Sequence, residues 1–142
     1  MYKIRKMEIE DYVEIIKLWK HTDGIGIDEK DDSKESIKIF LRKNPNTCFV
    51  AITANGEIIG TVMGGNDGRR GHIYHLMVKA EYRNNGIAKD LLKNIEKGFE
   101  TDGIRKIFLV AYRDNEIGNN FWENNGYKIR EDLNYRDKRI IE

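Results

Sequence analysis

The residues best suited to chemistry in this chain are the run Arg83-Asn84-Asn85-Gly86-Ile87-Ala88. It follows an apolar run, His72-Ile73-Tyr74-His75-Leu76-Met77-Val78, that reads as a strand. It opens an amphipathic helix whose apolar residues Ile87, Ala88, Leu91, Leu92, Ile95 and Phe99 fall at helical spacing. The first N–H groups of a helix lack intrahelical partners and lie at the positive end of its dipole. They therefore favour an anion, above all a phosphate. Gly86 has no Cβ, so a ligand can approach the backbone there. Ala88 keeps the first turn slim, and Arg83 adds a fixed positive charge beside it.

The elements that must position this run follow from periodicity and turn chemistry. Tyr2 to Lys6 alternates as a short strand, and Ile9 to Lys20 carries an apolar stripe through Tyr12, Val13, Ile15, Ile16 and Trp19. His21 to Asp32 reads as an acidic loop. Asp32 and Glu35, at capping-box spacing, open a second helix that stops at Asn44-Pro45-Asn46. Cys48 to Thr53 and Ile58 to Met63 are strands joined by a two-residue Asn55-Gly56 turn, and Asp67-Gly68 leads into the strand from His72. The helix from Ile87 ends near Gly103. Ile107 to Ala111 is a continuous apolar run, expected as a strand buried on both faces. A short helix spans about Glu116 to Asn124 and stops at Gly126, and Tyr127 to Leu133 with Lys138 to Ile141 form a final strand pair. The order is β-α-α-β-β-β-α-β-α-β-β, with parallel neighbours on either side of the helix from Ile87.

Composition bounds the function. The chain has 142 residues, read as a single domain over 1–142. Its charges nearly cancel to a formal +1, which argues against nucleic acid as the partner. No apolar run is long enough to span a bilayer and no signal-like N-terminus is present, so a cytoplasmic protein without a membrane partner is expected. The single cysteine, Cys48, excludes a disulfide framework within the chain. It lies in an apolar strand without an activating neighbour and reads as a small buried hydrophobe. Three scattered histidines give no metal-ligand spacing, so no metal is expected, and no P-loop sequence occurs.

The element order and two blocks of sequence resemble the GNAT superfamily of acetyl-CoA-dependent N-acetyltransferases. The first block is Leu76-Met77-Val78-Lys79-Ala80-Glu81-Tyr82-Arg83-Asn84-Asn85-Gly86-Ile87-Ala88, similar to the family's strand followed by R/Q-x-x-G-x-G/A. The second is Asn115-Glu116-Ile117-Gly118-Asn119-Asn120-Phe121-Trp122-Glu123-Asn124-Asn125-Gly126-Tyr127, similar to its asparagine, short helix and Gly-aromatic signature. The resemblance covers essentially the whole chain. It implies an α+β, three-layer fold with a mixed, mainly antiparallel sheet of about six to seven strands and about four helices.

The resemblance also implies acetyl-CoA as co-substrate. The N–H groups of Asn85, Gly86, Ile87 and Ala88 would cradle its diphosphate, with Arg83 and Asn84 beside them, and Leu76-Met77-Val78 would pair with the pantetheine arm. Asn115 would contact that arm, or cap the short helix, or both. Trp122 occupies a position where many relatives carry a tyrosine that protonates the departing thiolate. Indole offers only an N–H, so Trp122 falls among the cofactor-binding residues without that acid role. Water, Tyr112 and Tyr127 are the alternative acids, and a thiol pKa near ~8.5 makes thiolate itself a tolerable leaving group.

An amine acceptor is mostly ammonium at neutral pH and must lose a proton to attack a thioester. His75, with Tyr74 behind it, is the candidate base, since imidazole as a residue type suits proton transfer near neutrality. The alternative for His75 is an ordinary strand histidine facing the core or a helix. His72 is expected at an exposed strand start, and His21 lies in the long loop within reach of an acceptor. Asp23, Asp28, Glu29, Asp31 and Asp32 in that loop make an acidic rim that would attract a cationic amine, or are a solvated loop and a helix cap. The expected activity is acetyl transfer to a primary amine of a small molecule or peptide, directly within a ternary complex. The alternative is a non-catalytic acyl-CoA-binding or regulatory module, suggested by Trp122. Exposed strand edges are compatible with a homodimer.

Overall fold

The computed structural model describes all 142 residues. They fall into two compact units, Met1–Val110 and Ala111–Glu142. The first unit is a five-stranded sheet in the order β1-β2-β3-β4-β5, formed by Tyr2–Lys6, Cys48–Thr53, Ile58–Asn66, Gly71–Val78 and Ile107–Phe108. The first four strands pair antiparallel. β5 runs parallel to β4, as the intervening helix α3 (Ile87–Thr101) demands. Helices α1 (Tyr12–Lys20) and α2 (Lys34–Lys43) connect β1 to β2.

Side-chain alternation along the strands distributes these helices over both faces. A Cβ on Gly64 would meet Ile95 and Phe99 of α3, whereas a Cβ on the next residue, Gly65, would meet Phe40 of α2. Trp19 of α1 is fully buried and donates its indole N–H to Thr61 Oγ1 at 3.0 Å. The α3 face is filled by Ile87, Leu91, Leu92, Ile95 and Phe99, the apolar stripe that the sequence shows. Cys48 is buried, and burial pushes its thiol up to about 12, which removes it as a nucleophile at neutral pH.

Helix α3 also comes so close to the entrance of β2 that a Cβ on Gly98 would lie 1.9 Å from the Asn46 carbonyl oxygen. Gly98→Ala is therefore expected to destabilise the fold by about 2 kcal/mol, because overpacking against backbone outweighs the ~1 kcal/mol of helix propensity that alanine brings. A lowered denaturation midpoint with an unchanged denaturant slope would show it; an unchanged or raised midpoint would contradict it.

Several sequence expectations are corrected. The first helix begins as a 3-10 turn at Ile9–Asp11 before α1. Ser33, not Asp32, caps α2, accepting the Ser36 N–H at 3.2 Å. The β2–β3 hairpin closes on three residues rather than two. The Thr53 N–H reaches the Glu57 carbonyl at 2.9 Å while Gly56 takes the left-handed conformation, the arrangement of a type I turn followed by a bulge. The run Ile107 to Ala111 is a strand for two residues only, and Phe108 and Val110 are half exposed rather than buried on both faces.

The second unit contains α4 (Glu116–Asn124). The final strand pair expected over Tyr127 to Leu133 and Lys138 to Ile141 does not form, so the sheet has five strands rather than six or seven. The segment alternates apolar residues with many charges, and its Ile129, Leu133, Ile140 and Ile141 stay exposed. Two short strands on their own are marginal without further strands or a covered face.

Candidate acetyl-CoA and acceptor site

Strand β4 is the spine of the candidate site. It pairs with β5 only through Gly71↔Ile107 and His72↔Phe108, so the rest of that edge, up to Val78, has no neighbouring strand. The chain then passes through a 3-10 turn at Ala80–Tyr82 and reaches α3 by way of two left-handed residues, Asn84 (φ 65°) and Gly86 (φ 79°). Asparagine tolerates that region among side-chain-bearing residues, and glycine adopts it freely. A Cβ on Gly86 would meet nothing within 4 Å, so the space above this turn is open. No side chain caps α3, and its first backbone bond to the turn runs from the Asp90 N–H to the Gly86 carbonyl at 3.0 Å. The first N–H groups of α3, from Ile87 and Ala88 on, are accordingly without intrahelical partners at the positive end of the helix dipole. Arg83 folds back, donating from Nε to the Val78 carbonyl at 3.1 Å, which ties its charge to the end of β4. Asn85 braces the turn through Nδ2 to the Tyr82 and Arg83 carbonyls.

Upstream, β4 is not regular. Thr61 pairs with Met77 and Met63 with Tyr74, so one residue of β3 opposes both His75 and Leu76. This bulge puts His75 at φ 51°, a left-handed conformation unusual for a side chain of that size. It is held there from below. Thr61 Oγ1 donates to the His75 carbonyl at 2.8 Å and itself accepts the Trp19 indole N–H. The His75 ring packs on Trp19 with centroids 4.4 Å apart, and its Nε2 lies 3.0 Å from Asp32 Oδ1. The sequence offers Asp32 as part of an acidic rim or as a helix cap and carries no sign that it meets His75. It also offered nothing on Trp19 and Thr61 beyond an apolar stripe and a strand position.

Tyr74 is beside His75 but turned outward, at ring-centroid distances of 6.4 Å from His75, 4.1 Å from His72 in a stack, and 5.9 Å edge-on from Phe40. His72 is half-buried rather than exposed, sandwiched by Tyr74 and Phe108, and its Nε2 is buried without a hydrogen-bond partner. Burial holds that imidazole below the usual histidine range. As pH falls past about 6.5 the unfolded chain takes the proton first, so stability drops from there until the lower folded-state value is passed. His72→Phe keeps the ring stack and is expected to flatten the pH dependence of unfolding free energy just below about pH 6.5, where the unfolded imidazole titrates and the buried one does not. Denaturant melts across that window check it, and an unchanged slope would contradict it.

Of the remaining expected residues, His21 is exposed at the C-cap of α1. Asp28 takes the N–H groups of Lys30 and Asp31 on Oδ1, a local loop brace. Leu76 is partly exposed, and Met77 and Val78 are buried, leaving mainly the backbone of these residues to serve a ligand. Within the second unit, Asn115 caps α4 by accepting the Gly118 N–H at 3.1 Å, and Gly118 is needed there because a Cβ would lie 2.5 Å from Asn115 Nδ2. Trp122 packs edge-on between Phe121 and Tyr127, at 5.3 and 5.2 Å. Tyr112 is exposed.

Comparison with known proteins places the chain in a family and a fold. The acetyltransferase (GNAT) family profile matches residues 4–127. An acetyltransferase of Sodalis glossinidius is 34% identical over 140 residues, covering 99% of this chain and 96% of that protein. The PaiA N-acetyltransferase of Thermoplasma acidophilum, solved in complex with coenzyme A, superposes with a TM-score of 0.78 at 26% identity, over 92% of this chain and 91% of the other. An acetyltransferase of Clostridium acetobutylicum, solved with acetyl-CoA, shares the fold at a TM-score of 0.73 and 22% identity, over 96% of each chain. A strand that parts from its parallel neighbour, runs through a bulge and ends at an open helix N-terminus is thus found in a chain matched by profile, sequence and fold alike, and the protein is a member of the GNAT acetyltransferase family.

Proposed function

We propose that residues 1–142 act as one N-acetyltransferase domain, moving an acetyl group from acetyl-CoA directly to a primary amine within a ternary complex. The observation that carries this reading is the line of backbone donors from the uncovered edge of β4 to the open turn at Asn85–Ala88. In it, the N–H groups of Asn85, Gly86, Ile87 and Ala88 hold the diphosphate, with Arg83 and Asn84 beside them. Leu76, Met77 and Val78 offer main-chain groups to the amide-bearing pantetheine arm as an added strand would take them. A backbone N–H of the same stretch supports the negative charge that develops on the acetyl carbonyl oxygen.

His75 stands at the bulge and takes the acceptor's proton, with Tyr74 lining the approach. Asn115 and Trp122 join the cofactor residues on the strength of the family likeness alone. Trp122 has no phenolic proton to give, so coenzyme A departs as thiolate, which a thiol pKa near ~8.5 makes tolerable. The acidic residues Asp23, Glu29 and Asp31 of the α1–α2 loop favour a cationic acceptor, from a small molecule or a peptide.

Two measurements test this. Acetyl-CoA at millimolar concentration should raise the melting temperature, since it binds the native state alone. A screen of amines that follows thiol release should then find an acceptor. No thermal shift would refute the cofactor seat. A clear shift with no thiol release across a broad amine panel would favour the non-catalytic acyl-CoA-binding module that Trp122 suggests.

A further inference from the structure

We propose that Asp32 is a positioning residue for His75, fixing which ring nitrogen is free to take the acceptor's proton; this rests on the reading above that His75 is the base. The two side chains come from segments 43 residues apart and meet with Nε2 3.0 Å from Oδ1. Both are largely shielded, at 13% and 11% side-chain exposure, so the contact is not a loose surface pairing.

Each partner is immobilised independently. Asp32 accepts the Asp28 N–H on Oδ2 at 3.0 Å, its own N–H donates to the Asp28 carbonyl, and its carbonyl accepts the Tyr12 hydroxyl at 2.7 Å. His75 is held by the Thr61 bond to its carbonyl and by Trp19 beneath its ring. A left-handed residue in mid-strand persists only where surrounding contacts over-determine it, and here the conformation swings the ring toward the α1–α2 loop.

A carboxylate only accepts, so the ring nitrogen facing it must carry the hydrogen. The neutral imidazole then has its proton on Nε2 and its lone pair on Nδ1. Nδ1 takes one proton from the acceptor ammonium. The freed nitrogen lone pair forms the N–C bond to the acetyl carbonyl, and the C–S bond breaks as coenzyme A leaves as thiolate. The second proton lost from the acceptor nitrogen goes to that thiolate, and the imidazolium, stabilised by Asp32, returns its proton to water.

Asp32→Asn separates this role from a structural one. Asparagine has a single oxygen, and the Asp28 N–H claims it. The amide NH2 then faces His75 Nε2, which must accept, so the ring proton moves to Nδ1 and the reactive lone pair is lost. We expect kcat to fall roughly 10²-fold while acetyl-CoA affinity stays within twofold. Nitrogen-15 NMR of the histidine rings should show His75 protonated on Nε2 in the wild-type protein and on Nδ1 in the variant. Either kcat within twofold of wild type or a wild-type ring protonated on Nδ1 would overturn the proposal, and the second reading needs no variant. If His75→Asn retains full activity, the base assignment itself has failed. If His75→Asn is inactive and Asp32→Asn is fully active, only the positioning role has failed.

Discussion

Gly86→Glu is expected to lower acetyl-CoA affinity by more than ~100-fold without unfolding the protein. Gly86 stands in the turn that opens α3, at φ 79°, with nothing within 4 Å of where a Cβ would be. The new side chain therefore clashes with no part of the fold. Its cost to the free protein is the left-handed backbone, about 1 kcal/mol for a side-chain-bearing residue, partly offset by a carboxylate at the positive end of a helix dipole. The same carboxylate stands where the diphosphate is proposed to sit. Two like charges about 4 Å apart repel by about 4 kcal/mol at an effective dielectric of about 20, and salt screening leaves enough for two decades in affinity.

The outcome has a distinctive form. The melting temperature without ligand shifts by only a few degrees, while the increment that acetyl-CoA produces in the wild type disappears. Gly86→Asn separates charge from backbone conformation, because asparagine accepts the left-handed region without carrying a charge. It should lose less affinity than the glutamate variant. Equal affinity of wild type and Gly86→Glu for acetyl-CoA would show that the diphosphate lies elsewhere.

How far the sequence exposes this site depends on the kind of signal each part sends. The helix α3 and its open turn are legible because a 3.6-residue stripe and a glycine beside small residues are local properties of residues 83 to 99. The sheet order through β4 is legible for the same reason, apart from one residue of hairpin length. The bulge is not, because alternation along His72 to Val78 presumes a uniform period of two and carries no mark of an inserted residue. Asp32 was concealed by its neighbour. Ser33 has equivalent capping chemistry one position on, so D-x-x-E spacing points to the wrong residue while the helix start remains correct to within one. The pairing of Asp32 with His75 depends on the loop after α1 folding back to β4, a long-range result that no window of sequence contains. At the C-terminal end, apolar residues at strand spacing suggested a pair of strands. Alternation identifies a face suited to burial but not whether anything covers it.

His75→Asn carries the other large expectation, a fall in kcat of roughly 10²–10³-fold with acetyl-CoA binding retained. Asparagine is the appropriate replacement because residue 75 has φ 51°, and asparagine is among the side chains most at ease there. The bulge, the Thr61 bond to the residue 75 carbonyl and the proposed N–H donors downstream then stay in place, and only the imidazole is removed. Some stability is lost, since Trp19 forfeits a ring contact and the largely buried Asp32 carboxylate forfeits a partner. An unsatisfied buried acceptor costs about 1–3 kcal/mol, which lowers the melting temperature by several degrees without abolishing folding. The acetyl-CoA-dependent rise in melting temperature should survive, because the diphosphate seat beyond Tyr82 is untouched. This pattern, binding kept and turnover lost, distinguishes a proton-transfer group from a core histidine, whose loss would lower stability and leave kcat of the folded fraction intact. A folded His75→Asn protein that turns over within twofold of wild type would assign the proton to water or to another side chain, and would reduce the bulge at His75 to a device for presenting backbone.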